Sequence, residues 1–505
     1  MTASPDTAPP LDTAPPVAIW LVLVAVSVTL LFASLGQTIV SPALPIIVAD
    51  LGGVEHITWA ITAYLLASTV GAPIAGKLGD LYGRRVVMQA GIALFMVGAA
   101  LCGFANSMGI LIAGRAVQGF SAGALIVMSM AVVADVLPAR ERGRAQGLLG
   151  AAFGVSTVIG PLLGGFLVEA LSWHWIFFVN LPVGFVAAAV LWMALPRVRS
   201  TGKKAIDYAG AVLLTIFLSS AVLISNFGGS VLPWASASML GMIALAVASV
   251  VGFALVERRA VEPLLPPVLF GMNSFVVVNS VGFFVGGAMF GTITFVPLFL
   301  QIAKDASPTM SGLFLLPMMG GLILASALAG QVMTRSGRYK LMPIGSTALL
   351  TVSLLGMAVV SGDTPLWLIG LFMAGVGLGL GPVFSVGVTA IQNAVPITML
   401  GVGTASANMF RLIGGSISTA LFGALFSAGL ARNLDGVLPA GGGLGTLSPA
   451  MVAGLPPEAQ ALVIDGLSRA LHPIFFIAAA GAALACLIST QLREEPLGTT
   501  LPRRA

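Results

Sequence analysis

Gly76-Lys77-Leu78-Gly79-Asp80-Leu81-Tyr82-Gly83-Arg84-Arg85 sits between two long apolar runs and decides how the rest of the chain is read. It packs four charges and three glycines into ten residues, in a chain where charged residues are only 8% of the total. The apolar runs around it, and many beyond it, are about 20 residues long, enough to cross a bilayer as helices. A 505-residue soluble protein with 58% hydrophobic residues lacks the polar surface to cover itself. The chain therefore reads as an all-α, polytopic membrane protein, with this stretch as a charged loop between its second and third spans.

Fourteen spans are predicted, at 18–42, 57–77, 86–106, 108–134, 146–170, 174–195, 207–227, 235–256, 273–302, 311–333, 341–361, 365–390, 400–427 and 472–491. With the N-terminus inside, eighteen of the 23 Lys and Arg fall on the inner side. Lys304, Arg432 and Arg469 fall outside, and Arg115 and Arg411 lie within spans. Basic loops stay cytoplasmic, so both termini are expected inside. The 330–340 segment echoes the opening stretch: Gly330 to Gly337 repeats the step of seven from Gly76 to Gly83, and Arg338 follows as Arg84 does. Thr334 stands where the first copy has Asp80. Each copy follows the second span of a six-span half. The expected organisation is a disordered tail (1–16), an N-terminal six-helix bundle (17–196), a basic linker with inserted spans 7 and 8 (197–262), a C-terminal six-helix bundle (263–492) with a long outer loop (431–471), and a tail (493–505). Repeated halves with a site between them are a transporter architecture.

Other classes are excluded by what the sequence lacks. Cys102 and Cys486 lie in apolar runs and make neither a disulfide framework nor a metal site. No cofactor is expected. The net charge of +5 sits in loops and is no nucleic-acid signal. The first 16 residues lack the basic region of a signal peptide. No Gly-x-x-x-x-Gly-Lys-Ser/Thr loop is visible, which argues against direct ATP use, and no catalytic constellation suggests an enzyme. His56, His174 and His472 fall at predicted outer ends, as interfacial polar residues or pH sensors.

Three motifs carry a resemblance. Gly76-x-Leu78-Gly79-Asp80-x-x-Gly83-Arg84-Arg85 is similar to motif A of the major facilitator superfamily; Leu111-x-x-x-Arg115-x-x-Gln118-Gly119 resembles motif B; and 154–165, with Gly154, Gly160, Pro161, Gly164 and Gly165, resembles the antiporter motif C of span 5. Within that family the chain looks like the fourteen-span drug:proton antiporters of the QacA and EmrB type, through Trp59-Ala60-Ile61-Thr62-Ala63-Tyr64, 173–184, Pro297-Leu298-Phe299-Leu300-Gln301 and 406–415. The resemblance implies the major facilitator fold, two six-helix bundles plus two inserted spans. It implies a cytoplasmic latch in which Gly76, Gly79, Asp80, Gly83, Arg84, Arg85 and Asp135, with Gly337 and Arg338, hold the gate. It also implies proton coupling through Arg115. On the residues alone, the glycines permit a tight turn, and Asp80 is expected near the positive end of the helix that follows it. Arg84 and Arg85 also satisfy the positive-inside rule.

The chain departs from that branch at one position. The span-1 acid of the Leu-Asp-x-Thr-Ile-Val pattern is replaced in Leu35-Gly36-Gln37-Thr38-Ile39-Val40. No Asp or Glu falls at mid-membrane, so Asp80 or Asp135 coupled to Arg115 is the leading proton carrier. Neutral or anionic amphiphiles fit better than dications, because no buried anion offsets a cation's desolvation. Gln37, Tyr64, Phe153, Gln301, Asn408 and Arg411 are the substrate-cavity candidates, each with a packing role as its alternative. The expected activity is proton-coupled efflux of small amphiphiles by a monomer in the inner membrane, with substrate, protons and lipid as partners. The alternatives are a dedicated exporter of an endogenous lipid, siderophore or antibiotic, an uncoupled facilitator, and a membrane scaffold.

Overall fold

The computed structural model describes residues 16–52, 57–195, 206–228, 232–433 and 456–497. Helices dominate because a backbone amide in hydrocarbon must find its partner within its own segment. In chain order the long helices are α1 (Pro16–Thr38), α2 (Ile57–Tyr82), α3 (Arg84–Gly103), α4 (Met108–Val136), α5 (Ala139–Ala170), α6 (Asn180–Ala194), α7 (Tyr208–Phe227) and α8 (Ala237–Glu257). They continue as α9 (Asn273–Ala303), α10 (Leu316–Ser336), α11 (Leu341–Met357), α12 (Leu366–Ala394), α13 (Leu400–Asn433) and α14 (Pro457–Thr490). Among the described residues, 13 helices are long and apolar enough to cross a membrane, α6 being counted with the short helical turn that begins at Trp175. The remaining one, α11, has 17 residues, about 25 Å at 1.5 Å per residue, at the short end for a span.

Local chemistry sets the helix ends. Ser107, Asp207 and Ser236 accept hydrogen bonds from the first-turn amides of α4, α7 and α8. Gly83 divides α2 from α3 with φ 90°, and Gly337 ends α10 with φ 70°, backbone conformations that favour glycine.

Three boundaries depart from expectation. The opening stretch is not a loop: 76–82 forms the last turns of α2, and the chain reverses at Gly83 alone. The residues are good enough helix formers that only the glycine breaks them. Arg140, Arg142 and Arg144 belong to α5, which starts at Ala139 instead of near 146. The second part of the expected outer loop, from Pro457, is helical and continuous with the last span as α14, whose internal Pro473 does not stop it; the loop's residues 434–455 lie outside the described residues, as do His56 and the basic linker at 197–204.

Helices α1–α6 form one bundle and α9–α14 the other. The closest pairs occupy matching places, α2 with α4 and α10 with α12. Small residues permit this approach. A Cβ on Gly123 would fall 2.0 Å from the Ser68 carbonyl oxygen, and one on Gly377 1.9 Å from that of Met318. The bundles meet along two seams, α2 against α13 and α5 against α10. The inserted pair α7–α8 covers the first seam: α7 packs on α2 and α13, and α8 packs on α7. Between this pair and the second bundle lies a cavity of about 470 Å³ lined by Phe217, Phe253, Phe270, Met409 and Ile413.

The chain after α14 is tied down through residue 497. The Tyr339 hydroxyl accepts from the Glu495 amide, Glu494 accepts from the Tyr339 amide, and Asn273 bonds to Gln491 and Arg493. Burial pushes the Tyr339 phenol up from its ordinary value. The first part of the expected tail is therefore part of the second bundle.

Candidate functional site

At the end of the bundle that carries most Lys and Arg, the two halves are bolted together. Asp80, near the end of α2, accepts from the amides of Gly401 and Val402, both at 2.9 Å. These are first-turn amides of α13, which have no partner inside their own helix. The carboxylate thus meets the positive end of a helix from the other half, not that of α3 as the sequence order suggested. Asp80 is tied to α3 by Arg84, whose Nη2 donates to Asp80 while its Nε donates to Asp135 at 3.2 Å. Arg85 donates to the Leu195 carbonyl at 2.9 Å and lies 4.4 Å over the Trp192 ring, tying α3 to α6. Lys77 pairs at 2.7 Å with Glu262. Glu262 lies on the segment that follows α8, and the Glu257 carboxylate holds that segment by accepting from the Leu264 and Leu265 amides.

The glycines make the seam possible. A Cβ on Gly401 would fall 2.4 Å from the Gly76 carbonyl oxygen; at the other seam a Cβ on Gly330 would fall 2.4 Å from that of Gly143. The internal repeat is therefore a structural one: Gly76 with Gly401 and Gly330 with Gly143 are equivalent contacts. Gly79 lies against the sulfur of Met128. The second copy has no carboxylate, and its tie is reversed in polarity. Arg140, from the start of α5, donates to the Thr334 and Arg335 carbonyls at 2.7 Å each, capping the C-terminal end of α10. Arg338 is exposed.

Further ties at this end were not singled out from sequence. Arg142 is buried and donates to the carbonyls of Leu137, Ala134 and, across the halves, Gln392. Gln392 in turn donates to the Met130 carbonyl at 3.0 Å. The signal was weak: Gln392 and Gln146 are isolated polar residues in apolar helices. The seams do not run the length of the molecule. α5 follows α10 through Gly143, Gly147 and Gly154, which faces Ile323, and then turns to α1: Gly160 lies on Thr38 and Gly164 on Ile39. Thr38 donates to the Ser156 carbonyl at 3.1 Å there. Pro161 lies within this continuous helix, and no atom lies within 4 Å of a Cβ on Gly165, so that glycine serves no close contact.

Arg115 is 1% exposed and is held by three hydrogen bonds and a ring. It donates to the Ala60 and Gly36 carbonyls at 3.1 and 2.7 Å and to Gln118 at 2.8 Å, and lies 4.1 Å over the Tyr64 ring. Tyr64 donates to the Ala33 carbonyl. The cluster locks α1, α2 and α4 together. It is not joined to the proton-carrier candidates: Arg115 and Asp135 are separated along α4 by about 30 Å at 1.5 Å per residue, and Asp80 is engaged with Arg84 and α13. Direct coupling of Asp80 or Asp135 to Arg115 therefore has no contact to carry it. A side chain at Gly36 also lacks room, since its Cβ would fall 2.8 Å from the Phe95 ring.

The cavity candidates separate. Asn408 and Arg411 are together: Arg411 donates to the Asn408 side-chain oxygen, and its guanidinium lies 4.1 Å over the Phe384 ring of α12. Gln301 is far away at the opposite end of α9, donating to Ser311. Phe153 packs in the first bundle, Tyr64 is buried under Arg115, and Gln37 is half-buried near the end of α1. Of the histidines, His174 stacks on Trp173 at 3.7 Å, and His472 meets the Val360 carbonyl at 3.0 Å. Among the described residues no cluster of three His, Cys, Asp or Glu has the makings of a metal site.

Comparison with known proteins agrees with this geometry. The Major Facilitator Superfamily model matches residues 26–419. The chain is 40% identical over 408 residues to the multidrug transporter protein MdtP of Bacillus subtilis, covering 81% of this chain and 75% of that protein. It is 30% identical over 488 residues to multidrug resistance protein 3 of the same organism, covering 93% and 94%. Among solved structures, the proton:xylose symporter XylE superposes with a TM-score of 0.60 at 14% identity, covering 93% of this chain and 95% of that one.

Proposed function

The chain belongs to the major facilitator superfamily and is a multi-pass membrane transporter rather than an enzyme, and from that premise we propose that it exports small amphiphilic molecules from the cytoplasm by alternating access. In this reading the basic end faces the cytoplasm, the fourteen helices all span, and the structure is the state closed inside and parted outside. The observation that carries it is the pair of seams. Both are bolted at the basic end, by Asp80 on the α13 amides and by Arg140 on the α10 carbonyls, and α5 leaves α10 beyond Gly154. A two-half machine clamped at one end and parted at the other is what rocking around a midplane site requires. The multidrug relatives favour efflux of varied amphiphiles.

The driving force in this reading is the proton gradient, with Asp80 as the titrating latch. The test is reconstitution in liposomes with an internal pH dye and a panel of neutral, anionic and cationic compounds. Substrate-dependent proton movement is the expected result. Flux without proton movement supports the second reading, an uncoupled facilitator, which the backbone-bound Arg115 and the absent span-1 carboxylate favour. No flux of any compound overturns both.

A further inference from the structure

The exporter reading leaves the substrate class open, and one side chain narrows it. Arg411 lies 11 positions into α13, about 17 Å from the basic end of that helix at 1.5 Å per residue, and so near the middle of a hydrocarbon core about 30 Å thick. Met409 and Ile413 line the cavity on the side of the inserted pair. Each is two residues from Arg411, about 200° around the helix, so Arg411 points the other way, where the root of its side chain lies against Gly286 of α9. It lies there over Phe384 of α12 and is half-buried, not sealed in.

A guanidinium carries five N–H donors. Among the described residues its bond goes to Asn408, and no carboxylate pairs with it. Arg115, the other intramembrane arginine, makes the contrast: it donates to two backbone carbonyls and to Gln118, and it is closed to solvent. One arginine is a brace; the other is an open charge at mid-depth, where an ionisable group is costly and marks a ligand pathway. An anionic lipid headgroup does not reach it, because headgroups lie at the membrane surface, roughly 15 Å away.

We propose that Arg411 is the anion anchor of the transport site, and that the transported class is amphiphilic anions: an apolar or aromatic body with one carboxylate, sulfonate or phosphate. The anion supplies the counter-charge Arg411 lacks, in a charge-assisted hydrogen bond. The body stacks beside Phe384, and a cationic amphiphile is repelled. The inference rests on the exporter reading for its direction of transport, but the binding it claims stands separately.

The experiment uses the full chain in nanodiscs of zwitterionic lipid and two fluorescent probes of nearly the same body. One is 8-anilinonaphthalene-1-sulfonate; the other is N-phenyl-1-naphthylamine, which lacks the sulfonate. The wild type is expected to bind the sulfonate at least about tenfold more tightly, as suits one charged hydrogen bond in a partly dry site. Arg411→Gln removes that preference and leaves the neutral probe unchanged, and Arg411→Lys keeps part of it. The idea fails if the wild type shows no preference, if it prefers a cationic dye, or if Arg411→Gln lowers both affinities equally. If Arg411→Gln does not fold, loss of the preference in Arg411→Lys to the neutral probe's level sinks it equally. An anion preference without flux in liposomes upholds the anchor and overturns export; flux of neutral compounds without the preference does the reverse.

Discussion

Gly36 is a residue whose meaning changed with its surroundings. In sequence it is a vacated carboxylate position; in the fold its space is taken by the Phe95 ring, and its carbonyl holds Arg115. Gly36→Asp is therefore expected to destabilise the protein by about 1–3 kcal/mol through overpacking, and Phe95→Ala in the same chain is expected to recover part of that. Thermal unfolding in detergent measures both. An Asp tolerated without loss places Phe95 differently. Arg115→Lys is also expected to be costly, by about 2–4 kcal/mol, because one ammonium cannot reproduce bonds to Ala60, Gly36 and Gln118 while lying over Tyr64. At this scale the sequence revealed that Arg115 is intramembrane but not that its partners are carbonyls. A carbonyl partner leaves no mark in sequence, since any residue offers one.

Among the elements, α13 is the one on which both halves act. Its first-turn amides are held by Asp80, its Gly401 by close contact with Gly76, and its middle carries Arg411. Asp80→Asn keeps one acceptor oxygen but loses the charge, and two charge-assisted bonds weaken. A loss of about 1.5–3 kcal/mol shifts the closed-to-open ratio at the basic end by roughly 10- to 150-fold. Spin labels across the α2–α13 seam are expected to report the longer distance, and an unchanged distribution sinks the latch. Gly330→Ala and Gly401→Ala are expected to act alike, since each puts a methyl 2.4 Å from a carbonyl oxygen across a seam. Both are expected to hold the basic end open and to cut transport at least tenfold, an energy well within the range for overpacking; a full-rate Gly330→Ala removes the equivalence. Helix order and the repeat were legible because apolar length and glycine spacing are local. The partners of Asp80 were not, because its bonds cross 321 and 322 positions of chain.

The whole molecule is two similar bundles with unlike fastenings. The inserted pair covers one seam and ties to it through Lys77 and Glu262, a contact whose carboxylate side is 41% exposed. Such a pair contributes no more than about 1 kcal/mol, so Lys77→Met is expected to change transport less than about fivefold, and the difference is expected to vanish in high salt. A large, salt-independent loss assigns the inserted pair a larger part in gating than covering the seam.

The two fastenings also answer acid differently. The α2–α13 seam hangs on a carboxylate, which a proton neutralises, whereas the α5–α10 seam hangs on the Arg140 guanidinium and two backbone carbonyls, which offer no carboxylate to neutralise. On the proton-coupled reading proposed above, a single proton on Asp80 unbuttons one side and leaves the other as the hinge. On that reading the first movement is a lopsided swing about Arg140, like a door, before the two halves part.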